Sequence, residues 1–198
     1  MTAMPPPAPS RRPFRFTREQ YFELGQRGFF NGKRVELLYG EITEMSPANW
    51  PHHVSVGLVT DALLVAFAVG FFVDTQQPFP IPNEPLGSAP EPDVAVIPGR
   101  RRDYTDHPTT AALLVEVSDT TLAEDLTTKA ELYATANVPE YWVLDIPNRQ
   151  LYVHRDPQPL PAGLGATAYR TRLVLTPADT VQPLAAPPAV VRVSDLFQ

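Results

Sequence analysis

The sequence predicts a mixed α/β domain built around a central sheet, and three observations predict it. Helix, hairpin, helix, strands, helix and strands follow one another along the chain. Hydrophobic residues make up 43% of the 198 positions, which supplies a real core and excludes global disorder. The 24 prolines favour strands, turns and extended connections over a helical bundle. One domain is expected over residues 14–198, because two would be cramped in a chain of this length. Residues 1–13, rich in proline, alanine and arginine, are expected to form a disordered arm.

Each element has a local reason. A helix is expected from Thr17, with Gln20 as its capping-box partner, Tyr21, Phe22 and Leu24 on its apolar side and the glycines of 25–32 as its stop. Residues 34–45 read as a hairpin turning at Tyr39 and Gly40. The stretch 46–53 reads as a loop, and Val54 to Val69 as a buried helix with Asp61 inside it. A strand over Phe71–Thr75 precedes the proline-rich loop 78–92. Short strands are expected at 93–97 and 113–118, joined through the polar segment 100–108, and a helix at Leu122–Ala136. Residues 140–146 and 150–155 read as a hairpin around Pro147, Asn148 and Arg149, with Tyr141 and Trp142 as core. Later strands are expected at 169–176 and 190–193, closed by Leu196 and Phe197. No internal repeat is visible.

Composition removes several function classes. The absence of cysteine excludes disulfide scaffolds, zinc ribbons and thiol nucleophiles, and leaves any metal to oxygen or imidazole ligands. With 16 basic and 22 acidic residues, the net charge of −6 writes no broad electrostatic grip on DNA, although a local basic cleft stays open. The apolar run Ala62–Val73 is too short to span a bilayer and the N-terminus has no apolar signal core, so no membrane and a cytoplasmic location are expected. The basic residues are 14 arginines and two lysines, Lys33 and Lys129, so a retained lysine invites a reason.

Three residues carry the chemistry. Glu116 sits in the apolar strand 113–118, on the face shared by Leu114 and Ser118, where a carboxylate needs a cation, a proton or a metal. Asp93 opens the preceding strand after Glu91 and Pro92, so two carboxylates on neighbouring strands can share one hard divalent cation. Leu122, Leu126, Lys129 and Tyr133 form one helical stripe, which puts Lys129 on the core side beside Asp125 and close to Glu116. Two carboxylates and a lysine around a divalent ion suit phosphodiester hydrolysis. A buried structural ion pair between Glu116 and Lys129 accounts for both residues without a metal. Glu36 reads equally as the solvent-facing residue of an alternating hairpin, and His52 and His53 as cap or surface residues. The arginines at 100–102 read as a solvated loop or a phosphate grip.

Several segments together resemble a known family. EPDVAVI (91–97), LLVEVSDTT (113–121), DLTTKAELYA (125–134), NVPEYWVLDI (137–146) and RVELLYGEITEMSP (34–47) look like the Uma-type family of restriction endonucleases, in order over roughly residues 15–197. That family belongs to the PD-(D/E)XK nuclease superfamily. The resemblance implies a restriction-endonuclease-like fold and a metal-dependent endonuclease acting on DNA. It makes Asp93 the motif aspartate and Glu116 the second acidic ligand. The usual lysine two places on is Ser118 here, and the family's lysine on the next helix is Lys129. Glu36, His53 and Asp125 match recurrent polar positions. Where the family usually carries glycine, this chain has Asn137. The site expected on this basis is Asp93, Glu116 and the carbonyl of Val117 holding Mg2+ or Mn2+, with Lys129 assisting the attacking water. A homodimer would suit two-strand cutting. The alternative is a catalytically inactive nuclease-fold module that binds nucleic acid or protein.

Overall fold

A computed structural model describes residues 12–160 and 167–198. Most of the expected N-terminal arm lies outside these residues. Helix α1 (Arg18–Gln26) begins on the expected capping box, with Thr17 and Gln20 each bonding the other's backbone N–H. The Tyr21 hydroxyl donates to the Val35 carbonyl at 2.7 Å and ties α1 to β1 (Val35–Leu38). Strands β1 and β2 (Glu41–Glu44) form the expected hairpin, with φ of 49° at Tyr39 and 79° at Gly40. A Cβ at Gly40 would lie 2.8 Å from the Cβ of Arg15, so close approach as well as φ demands glycine there. All four residues of β1 are buried, against the alternating pattern. Val35 and Leu37 pack with Tyr21 and Ala89, while Leu38 joins the core under the main sheet.

Helix α2 (Trp50–Ala66) starts four residues before Val54, so half of the expected 46–53 loop is its first turn. Asn49 Oδ1 accepts the His52 N–H at 3.0 Å, and Pro51 falls in the first turn, where a missing N–H costs no helical bond.

The main sheet runs in sequence order through β3 (Phe71–Asp74), β4 (Val94–Pro98), β5 (Leu113–Ser118), β6 (Glu140–Asp145), β7 (Gln150–Pro159) and β8 (Thr167–Leu175). Only β5 and β6 pair in parallel, because a helix crosses between them; the other neighbours are antiparallel. One face carries Val94, Val115, Trp142 and Leu144 under α2, and the other carries Ala95, Leu114, Tyr141 and Val143 under the crossover helix. Trp142 and Tyr141 are both fully buried on opposite faces, as core side chains. Each such burial contributes about 1.5–3 kcal/mol.

The expected strand 169–176 is shifted to Thr167–Leu175. The expected strand 190–193 shrinks to β10 (Val191–Arg192), paired with the two-residue β9 (Thr180–Val181). It gives way to a 3-10 turn, Val193–Leu196, whose i, i+3 spacing buries Val193 and Leu196 in the α2-side core.

The crossover helix is interrupted. It runs as α3 (Leu122–Glu124), a π-helical turn at Asp125–Lys129, and α4 (Ala130–Thr135). The expected regular stripe is thereby re-aimed. Asp125 is buried together with Lys129, while Leu122 and Leu126 are only half-buried. The helix ends in a Schellman motif, with Val138 N–H bonding the Tyr133 carbonyl at 3.0 Å and Asn137 N–H the Ala134 carbonyl at 2.9 Å. Asn137 has φ of 58°. Asn137→Gly is therefore expected to leave stability unchanged or slightly raised, and Asn137→Val to lower it by about 1–2 kcal/mol in urea denaturation.

Candidate active site

Register places the two key carboxylates together. Val94 pairs with Val115 in the antiparallel β4–β5 ladder, so one further step sets Asp93 opposite Glu116, on the face of Ala95 and Leu114. The ladder ends there. The Val117 N–H donates to Asp93 Oδ2 at 2.9 Å instead of to backbone. Both acids lie beneath the π-helical turn, and both are buried.

Lys129 is 5% exposed, and its Nζ lies 3.1 Å from Glu116 Oε1, 3.4 Å from Glu36 Oε2 and 4.0 Å from Asp125 Oδ1. Glu36 reaches this point because β1 is buried on both faces. It is not the solvent-facing hairpin residue, and its Oε2 also accepts the Glu91 N–H at 3.2 Å. Each partner has further support. The Tyr133 hydroxyl donates to Glu116 Oε1 at 2.6 Å, and the Thr121 hydroxyl to Asp125 Oδ2 at 2.6 Å. Ser118, nearly inaccessible, lies 3.5 Å from the Thr121 hydroxyl and does not line the cleft.

Charge does not balance in this cluster: Glu36, Glu116 and Asp125 are buried around one ammonium, and Asp93 beside them pairs with His52. Burial opposes the charge on Lys129, but Glu116, Glu36 and Asp125 outweigh it and hold the ammonium well above the ordinary lysine range. Burial drives Glu116 well above the usual carboxylate range. Lys129 counters this only in part, while Asp93 and Asp125 add to it. Asp125 is raised mainly by burial as well. Asp93 goes the other way. Burial would raise it, but the His52 contact and the Val117 N–H prevail and hold it below the usual range. His52 is raised by its bond to Asp93 against the effect of burial.

The cluster opens on a cleft of about 390 Å3 between the β1–β2 hairpin, the segment leading into α2, the loop after β5 and the π-helical turn. Glu36, Asp93, Glu116, Val117, Asp125 and Lys129 all line it. His53 does not. It is exposed and lies against the ring of Trp50 at 5.6 Å. Its neighbour His52 lines the cleft and approaches Asp93 Oδ2 with Nε2 at 3.2 Å. The helix starts earlier than expected, and that start turns 52 rather than 53 inward. Gln76 was also missed. Its Nε2 donates to Asp93 Oδ1 at 3.4 Å, from a loop whose sequence carried no signal beyond polarity. The 100–102 arginines stand at the β3 edge outside the cleft, where Arg100 pairs with Asp103 and Arg101 with Asp74.

Tyr133→Phe tests how the site is held. It deletes one donor to a buried carboxylate and is expected to lower stability by roughly 1–3 kcal/mol in urea denaturation.

Among known proteins, the model of the Uma2 family, described as "Putative restriction endonuclease", matches residues 18–192. A crystal structure of a protein from Anabaena variabilis, described as "a putative nuclease belonging to DUF820", superposes with a TM-score of 0.66 at 13% identity. It covers 92% of this chain and 97% of its own. At that identity the likeness is one of fold. No curated protein is detectably similar to the chain. The family match spans nearly every described element, from α1 to β10, and the chain belongs to the Uma2 family.

Proposed function

We propose that the chain is an endonuclease that hydrolyses DNA phosphodiester bonds with a divalent cation, Mg2+ or Mn2+. The observation that carries this reading is the buried, charge-unbalanced cluster of three carboxylates about Lys129, with Asp93 beside it, open to a cleft. A purely structural pair would match one ammonium with one acid. Here the surplus negative charge is the kind a hard cation neutralises.

The donor set fits such an ion. Among the described residues no three histidine or acidic side chains form a ready-made metal cage. Two carboxylates with most positions left to water suit magnesium better than a closed cage would. Asp93, Glu116 and the Val117 carbonyl would hold the ion. When bound, it polarises the phosphoryl oxygen and lowers the pKa of water.

Lys129 has a narrower role than its residue type allows. Its raised pKa keeps it an ammonium at neutral pH, so it donates hydrogen bonds to water or to developing negative charge and does not take a proton. Glu36 and Asp125 help hold that ammonium beside Glu116, at 3.4 and 4.0 Å. A homodimer would present two such sites to the two strands of a duplex.

The test is cleavage of supercoiled, linear duplex and single-stranded DNA with Mg2+ or Mn2+. Cleavage that stops with chelator and in Asp93→Asn is expected. A folded protein inactive with every divalent metal would overturn the reading. The acid-rich cleft and the serine at 118 favour a second reading, a non-catalytic module on the same scaffold. That reading requires nucleic-acid or protein binding unaffected by Asp93→Ala. Phosphate contacts would weaken steeply with salt.

A further inference from the structure

We propose that His52, assisted by Gln76, is a positioning residue that aims Asp93 into the cleft and sets the site's affinity for its divalent cation. The inference rests on the metal-dependent reading above. Asp93 stands one residue before β4, where the strand ladder no longer fixes it. Three donors from three elements orient its carboxylate. Oδ2 accepts the Val117 N–H at 2.9 Å and meets His52 Nε2 at 3.2 Å, and Oδ1 accepts from Gln76 Nε2 at 3.4 Å.

The two side-chain donors are themselves held. The His52 backbone N–H caps α2 on Asn49 Oδ1, and Asn49 Nδ2 bonds Asp119 Oδ2 at 2.5 Å across the cleft mouth. Gln76 sits at φ of 52°, uncommon for a residue with a side chain, and its N–H bonds the Pro92 carbonyl at 3.1 Å, next to Asp93 in sequence. His52 Nδ1 is buried with no hydrogen-bond partner among the described residues. In the neutral ring the proton therefore belongs on Nε2, where it is donated to Asp93. That nitrogen is then not free to ligate a metal, so His52 works through Asp93. Partners of this kind fix the orientation of a ligating group and raise its basicity.

The experiment is Mn2+ titration of the full chain by calorimetry, with urea denaturation of the same variants. His52→Leu, similar in size but without a donor, is expected to weaken Mn2+ binding about 10–100-fold. His52→Gln, which restores an N–H near the Nε2 position, is expected to recover most of the affinity. Gln76→Leu is expected to give a smaller loss, and carries the comparison if His52→Leu does not fold. A change in stability alone moves no Mn2+ affinity, so wild-type affinity in both leucine variants would overturn the inference. So would a glutamine variant as weak as His52→Leu. Wild-type protein that binds no Mn2+ would overturn the metal-dependent reading together with the inference, and full binding in Asp93→Asn would overturn the role of Asp93 itself.

Discussion

Lys129→Met is expected to lower stability by roughly 3–5 kcal/mol at pH 8, because it removes one partner of a buried charge cluster and leaves the others uncompensated. Methionine keeps much of the length and apolar stem, so packing changes little and the loss is electrostatic. Among the described residues, Glu116, Glu36 and Asp125 would then have no cationic side chain within 4.0 Å. The pH dependence identifies the cause. Burial already raises Glu116 and Asp125 in the wild type, and losing the ammonium raises them further. A carboxyl whose folded pKa exceeds its unfolded one binds more protons when folded. Its contribution is most favourable below the ordinary carboxylate range and declines as pH rises toward the folded value. The variant should thus recover much of its deficit on acidification to about pH 5. The lysine's own raised pKa acts elsewhere, since that stabilisation is complete below the ordinary lysine range and is lost only above it. Urea denaturation at both pH values decides the matter, and a small, pH-independent loss would mean the cluster is not held by charge. On the function proposed above, DNA cleavage should fall about 10²–10⁴-fold in the same variant.

Glu116→Gln is expected to do the reverse to stability while losing the proposed nuclease activity. Cleavage should drop by at least about 10²-fold, as for removal of a group that stabilises charge in the transition state. Stability at pH 8 should be equal to or above that of the wild type. The amide carbonyl still accepts from Tyr133, and the most strongly raised carboxylate of the cluster is gone. Lys129 keeps Glu36 and Asp125. The stability profile should flatten in part above the ordinary carboxylate range, because the group that contributes most to its decline has been removed while Asp125 remains raised. If Glu116 and Lys129 were simply a structural pair, this change would instead cost roughly 3–5 kcal/mol and spare activity. The two variants together separate charge that holds the fold from charge that awaits a cation.

Local patterns made most of the fold readable. The Thr17–Gln20 capping box, the Tyr39–Gly40 turn and the apolar strand at 113–118 are short-range features, and each appears where its residues predict it. The helix reading of 54–69 failed at its start because a proline inside a first turn looks like a loop until its cap, Asn49, is recognised. His53 is the histidine that the family resemblance singles out, and it is exposed. The paired neighbour, His52, faces Asp93 only once the extra turn exists.

The sequence by itself determined which residues are chemically out of place: a glutamate in an apolar strand, an aspartate at a strand start and one of only two lysines on a core stripe. Tertiary structure decided how they meet. The antiparallel register sets Asp93 opposite Glu116, the π-helical turn brings Asp125 and Lys129 to the same side, and the buried hairpin delivers Glu36 as a second anion for the ammonium. Periodicity tells whether a side chain faces inward. Only strand pairing and docking tell what it faces, because those contacts join segments far apart in the chain.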